Sequence, residues 1–239
     1  MTRLAVFAIF AAAHFLSNFV RSANAVIAGD LVRDVGLDAA DLGLMTSLYF
    51  LAFAAAQLPL GAALDRFGAR VATPALMTLA VAGSLLFAVG QDLTTLAIAR
   101  ALMGVGTAGI LMGALKALSG WFGARRFAAV SGALVAIGSS GSLVASTPLA
   151  WLAQAFGWRA VFVVGAGLMA ASALTILAWG RAAPGVHEGP GGDAGGFGEV
   201  FRSPRFWRMA GLATATTGVT FAYQSLWAGP YLANGIGLG

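Results

Sequence analysis

Polar side chains punctuate an apolar stretch near the N-terminus, among them His14, Ser17, Asn18, Arg21 and Asn24. Spacings of three, four and seven place them on one stripe of an α-helix, the pattern of a helix with one wet face. A charged side chain at membrane depth costs roughly 2.5–3.5 kcal/mol on insertion scales and normally faces a cavity or a partner. Arg21 is therefore a candidate ligand-binding residue. A second arginine, Arg100, interrupts a later apolar run in "ARALMGVGTAG". At about 1.5 Å rise per residue, both arginines fall roughly 10–12 Å from the outer ends of their helices, at similar depth. Every carboxylate falls in or next to a connection between apolar runs, so none is embedded to neutralise them. A guanidinium fork matches a carboxylate or phosphate bidentately, so the chemistry on offer is the binding of an anion. The alternatives are that Arg21 snorkels outward to Asp30 or Asp34, and that Arg100 is satisfied by backbone carbonyls. His14 is a weaker candidate, a ligand or proton site set against a satisfied interior imidazole. Asn18, one turn before Arg21, joins the candidate substrate-binding set together with Tyr49 and Gln57, polar groups inside the second apolar run.

Such residues need spanning helices to position them. The chain has 239 residues, 59% hydrophobic and 10% charged, where a soluble domain carries about 25% charged residues. Its mean hydropathy is +0.85. Charge-free runs cover 42–64, 71–91, 127–158, 160–180 and 209–239, and runs 4–28 and 93–115 contain one arginine each. All reach the roughly 18–20 apolar residues that cross a bilayer as a helix. The prediction is an all-α membrane protein with seven spans, over 4–28, 41–63, 71–90, 93–117, 127–151, 159–180 and 207–229.

Alternate connections differ in charge. Arg3, Arg66, Arg70, Arg125, Arg126, Arg181, Arg202, Arg205 and Arg208 fall on one side with Lys116 close by, and Arg33 and Arg159 on the other. By the positive-inside rule the N-terminus and the connections at 64–70, 118–126 and 181–206 are cytoplasmic. Alanine richness points to a GC-rich bacterial genome, hence a multi-pass protein of the bacterial inner membrane. The net charge of +5 follows from this topology, so no nucleic-acid partner is expected. The motif "ANA" at 23–25 resembles a leader-cleavage site. Arg21 inside the would-be cleavage region, and apolar character continuing to Ala28, favour a retained span.

Absence of cysteine removes disulfides, thiolate catalysis and thiolate-bound metals. Two histidines and no paired nucleophile and base leave no expected metal, cofactor or enzymatic centre. Residues 181–205, "RAAPGVHEGPGGDAGGFGEVFRSPR", replace apolar runs by Gly, Pro and charge, a flexible linker in which His187 and Glu188 read as solvated. The organisation is therefore a six-helix transmembrane bundle over 1–180, a cytoplasmic linker over 181–206, and over 207–239 the first helix of an incomplete second bundle. Asp38 or Asp41 is placed to cap the second helix. Recurrent glycines, with Gly109 and Gly113 in a GxxxG, read as close helix packing. Ser139, Ser140 and Ser146 in the fifth span, and Tyr223, Gln224 and Trp227 in the seventh, are weaker candidates for lining a water-filled path.

Together these features resemble the major facilitator superfamily. Its signature between the second and third helices, G-x-x-x-D-R-x-G-R-R, is met by Gly61, Asp65, Arg66, Gly68 and Arg70, with Ala69 at a position often basic. The stretch with Arg100, Gly104 and Gly106 is similar to the second signature, whose arginine is often tied to proton coupling. Gly138, Gly141 and Pro148 are loosely similar to the glycine-proline signature, without its adjacent Gly-Pro. "GWR" at 157–159 is also familiar, and "FVRSANAVIAGDL" is similar to the first helix of organic-anion and sugar-phosphate carriers. The resemblance implies secondary active transport by alternating access, substrate held between two six-helix bundles, and a small organic anion as cargo, with a proton symporter as one form. It assigns Gly61, Asp65, Arg66, Gly68 and Arg70 to a cytoplasmic gate, in which Asp65 holds the two bundles together; Gly61 and Gly68 also read as permitting the tight turn between the second and third helices. Only one bundle and one further helix are legible, so a C-terminal half on another chain is an expected partner beside the lipid bilayer. A non-transporting fragment is the alternative. A seven-helix receptor is a further one; in its retinal form it lacks a Schiff-base residue, since Lys116 is the only lysine.

Overall fold

The computed structural model describes residues 2–180 and 202–222. Most of the 181–206 linker, with His187 and Glu188, and the candidates Tyr223, Gln224 and Trp227 lie outside the described residues. Eight helices are described: α1 (Arg3–Val26), α2 (Ala28–Val35), α3 (Ala39–Phe67), α4 (Ala69–Val89), α5 (Leu93–Trp121), α6 (Ala124–Phe156), α7 (Trp158–Trp179) and α8 (Pro204–Ala222). Six of them, α1 and α3 to α7, are long and apolar enough to cross a membrane. Helix α8 belongs to a separate compact unit. It opens at Pro204, where the missing N–H is one of the helix's unpaired donors anyway, and its described part covers 207–222 of the expected seventh span.

The largest differences from the expected helix ends are extensions of α3, α5 and α6. Counting apolar residues stops a helix at the first charge, but a spanning helix continues into water while its backbone bonds remain satisfied. The connection expected over 64–70 shrinks to Gly68 alone, and that over 118–126 to Phe122 and Gly123. Gly61, expected to ease a tight turn, instead lies inside α3, because helical bonding runs unbroken to Phe67. The outer connection after α1 is not a plain loop: α2 forms there, anchored by Ile27, Leu31 and Leu37, all buried, and stopped by Gly36 at φ 76°. Asp38 caps α3 as expected. Its carboxylate accepts from Asp41 N (2.8 Å), and Asp41 reciprocates towards Asp38 N (3.1 Å), a complete capping box.

Helix α5 is the most enclosed of the six spans. Its glycines allow that: a methyl on Gly106 would strike the backbone of Ala80 in α4, and one on Gly113 the side chain of Thr73. The most extensive pairing is α4 with α5; α1 packs on α6, α5 also on α3, and α4 also on α7. Swapping α1, α3, α4 for α5, α6, α7 exchanges α1–α6 with α3–α5 and returns α4–α7, as in an inverted three-helix repeat, whereas α4–α5 is far more extensive than its counterpart α1–α7. Helices α3 and α6 are covered least, and Ser139 and Ser146 stand exposed on α6. Large apolar side chains such as Leu143, 78% exposed, stud the outer surface, as expected where hydrocarbon is the solvent.

Candidate functional site

The polar stripe of α1 turns inward. Ser17, Asn18 and Asn24 are buried, and His14 and Arg21 half-buried. Asn18 organises the stripe: its Nδ2 donates to the His14 carbonyl at 2.9 Å, with His14 Nδ1 at 3.5 Å, and its Oδ1 accepts from Arg21 Nη2. Helix α6 fits this stripe because of two glycines. A methyl on Gly138 would collide with the His14 imidazole, and one on Gly141 with the Phe15 carbonyl. Ser142 Oγ then donates to the Asn18 carbonyl at 3.3 Å. Asn24 Nδ2 reaches Thr46 Oγ1 of α3 at 3.4 Å.

The second arginine sits deeper. Arg100 is 2% exposed, as is Tyr49, and its guanidinium carbon lies 4.6 Å from the centroid of the Tyr49 ring. Tyr49 is held at both ends. Its backbone carbonyl abuts Gly104, where any Cβ would clash. Its hydroxyl bonds Thr107 Oγ1 at 2.8 Å, and Thr107 Oγ1 donates to the Met103 carbonyl at 2.9 Å. With the Thr107 proton committed, Tyr49 is the donor of that pair. Arg100 Nε and Nη1 have no hydrogen-bond partner among the described residues, so the backbone-carbonyl alternative does not satisfy them. Two orphaned donors of this kind cost about 2–6 kcal/mol together, and a desolvated cation–π contact returns about 2 kcal/mol. The balance favours an acceptor at those nitrogens. Arg21 and Arg100 are within electrostatic range of each other, as are Arg21 and His14.

The structure thus brings His14, Asn18 and Arg21 together on α1, pairs Tyr49 with Arg100, and places the two arginines in one field. It sets Gln57 apart, two helical turns beyond Tyr49, with Nε2 3.5 Å from the Ala108 carbonyl. The acids that could draw Arg21 outward are engaged elsewhere: Asp30 pairs with Arg33, and Asp34 accepts the Trp158 indole N–H at 2.9 Å.

At the arginine-rich end, Gly68 adopts φ 73°, ψ 164° and joins α3 to α4. Asp65 forms an ion pair with Lys116 of α5, a partner the sequence reading missed. Its only signal was that Lys116 is the sole lysine on the same side as Asp65. Arg66 lies over the Phe67 ring, 5.2 Å to the centroid, and is exposed. Arg70 points to α7, with Nε donating to the Leu177 carbonyl at 2.7 Å and Nη2 lying 3.5 Å from that of Ala178. These are orphan carbonyls at a helix C-terminus, where a cation also complements the helix dipole.

This bundle defines a class, the multi-pass membrane carriers built from inverted helical repeats. The chain belongs to the Major Facilitator Superfamily, a family of transporters, whose profile matches residues 10–239. It is 29% identical over 154 residues to the protein of Bacillus subtilis (strain 168) named "Probable galactarate/D-glucarate transporter GudP", a stretch covering 62% of this chain and 34% of that relative. It is 28% identical over 147 residues to the "Probable L-galactonate transporter" of Escherichia coli (strain K12), 61% of this chain and 32% of that one. The matched stretches therefore span about a third of those relatives. A crystal structure of a bacterial homologue of the human lysosomal transporter Spinster, inward-facing and unoccupied, superposes with TM-score 0.74 at 20% identity, over 97% of this chain and 55% of that chain. That likeness is one of fold.

Proposed function

We propose that this chain forms the substrate-binding half of a secondary active transporter that moves a small organic anion by alternating access. The observation that carries the proposal is Arg100, fully buried with Nε and Nη1 unpartnered among the described residues. Nε and Nη1 point to opposite sides of Cδ, so a carboxylate there would accept from one of them and be held within the field of Arg21. His14, Asn18 and Tyr49 would shape the same site, and Gln57 would line the path beyond it. The sugar acids in the names of the two relatives are anions of this kind. The work is translocation, without chemical conversion of the cargo.

The proposal extends to orientation and coupling. The end bearing Arg66, Arg70, Arg125 and Arg126 faces the cytoplasm of a bacterial inner membrane, with the N-terminus inside, by the positive-inside rule. Gly68 with Asp65, Arg66 and Arg70 forms the cytoplasmic gate, with Gly61 in the helix leading to it. Protons couple by symport, with His14 as carrier, since the described spans hold no carboxylate at mid-depth. The test is uptake of labelled galactarate into membrane vesicles from cells expressing the protein, with the proton gradient intact or collapsed. Uptake should fall at least tenfold in Arg21→Ala and on collapse of the gradient. Unchanged uptake of sugar acids in Arg21→Ala would remove the anion site.

A further inference from the structure

A second basic site lies away from Arg21 and Arg100, at the arginine-rich end. The start of α1 and the turn from α5 to α6 enclose an open cavity of about 760 Å³ lined by Arg3, Trp121, Phe122, Gly123, Arg125 and Arg126. Phe122 is buried, and the Arg3 guanidinium carbon lies 5.9 Å from its ring centroid. Gly123 is the N-cap of α6 and offers no side chain to accept the first N–H groups, so the positive end of that helix opens on the same space. The two ion pairs among the described residues are Arg33–Asp30 and Lys116–Asp65, so neither neutralises this cluster. Three exposed guanidiniums and a helix N-terminus gathered without a carboxylate among the described residues form a field that attracts an anion.

We infer that this cavity binds the phosphodiester headgroup of an anionic phospholipid. Charge complementarity selects an anion, and location at the ends of spanning helices selects a lipid phosphate as its source. The cavity sits where three spanning helices have their ends, at the level at which Trp and Tyr girdle a bilayer, and Trp121 lines it. Leu4, next to Arg3, is 67% exposed, an apolar step from the basic site towards the acyl region. Basic pockets at helix ends on the lipid surface have this composition, and each arginine there contributes about a fivefold gain in affinity.

The experiment is titration of the purified protein in detergent with phosphatidylglycerol or phosphatidylcholine, bound lipid being counted by native mass spectrometry. Phosphatidylglycerol should bind at least tenfold more tightly. Replacing all three residues (Arg3→Gln, Arg125→Gln, Arg126→Gln) should cut that affinity about a hundredfold, and the same three changes to Lys should restore most of it. Arg126→Gln alone should cost about fivefold, a readout that survives if the triple variant folds poorly by circular dichroism. Arg33→Gln, at the opposite end, should leave the affinity unchanged. Equal affinity for the two lipids, or full retention by the folded triple variant, would overturn the assignment. So would displacement of the lipid by millimolar inorganic phosphate, which would make the site one for a free phosphate.

Discussion

Two turns at opposite ends of the bundle share one design. Gly68-Ala69-Arg70 opens α4 and Gly157-Trp158-Arg159 opens α7, and the glycines have nearly the same backbone, φ 73°, ψ 164° and φ 81°, ψ 157°. Each arginine then crosses to the far helix. Arg70 of α4 caps the carbonyls ending α7, and Arg159 of α7 reaches the Gly90 carbonyl beyond α4 at 3.3 Å. The two helices thus cap each other's C-termini, as the inverted repeat requires.

Their surroundings differ. Trp158 is buried against Phe87 and Phe162, rings 5.8 and 6.4 Å away, and donates to Asp34. At the other turn the same position is Ala69, and the added tie is the Asp65–Lys116 pair, with Asp65 77% exposed at its side chain. An exposed ion pair contributes about 0–1 kcal/mol and can be exchanged for another partner, whereas a buried aromatic cluster cannot. One copy of the design is fixed by a buried aromatic cluster and the other by an exchangeable ion pair, the contrast that the proposed gating role calls for.

The largest test of that contrast is Trp158→Ala. It should cost about 3–5 kcal/mol of stability, read as a lowered unfolding midpoint in detergent, whereas Ala69→Gly at the matching position should cost under half as much. Next, Gly68→Ala and Gly157→Ala should each lose about 1–2 kcal/mol, because both force an L-residue to positive φ. A large inequality between them would break the equivalence of the two turns. The smallest effect concerns acid. Asp92 caps α5 at the Arg159 end, and the Thr95 backbone N–H, then its hydroxyl, holds the Asp92 carboxyl below the usual range. Its contribution is therefore present above the unfolded value, near pH 3.9, and lost as pH falls through the lower folded value. Asp92→Asn keeps a cap and should flatten the acid limb of a stability–pH profile without moving the plateau above pH 5.

The six spans, the Asp38 cap and the glycine-mediated packing of α5 were legible in the sequence because each rests on local periodicity or composition. The polar stripe of α1 was legible for the same reason. Hidden were contacts between residues far apart in the chain: Asp65 with Lys116, Arg70 with Leu177, Tyr49 with Arg100. No local pattern encodes them, since they depend on which helix packs beside which. The short helix α2 was missed because its anchors, Ile27, Leu31 and Leu37, sit among acids that dilute the apolar signal. Gly61 was misread because a glycine inside a long helix, near its charged end, looks in sequence like one at a turn.

The central claim is that the buried guanidinium of Arg100 receives an anion. The measurement is the unfolding midpoint of the purified protein with increasing galactarate, beside galactitol, its uncharged polyol counterpart. Galactarate at a hundred times its dissociation constant should stabilise the protein by about 2.7 kcal/mol, galactitol should not, and Arg100→Gln should abolish the difference while remaining folded. Equal shifts with both ligands, or a galactarate shift undiminished in Arg100→Gln, would contradict it.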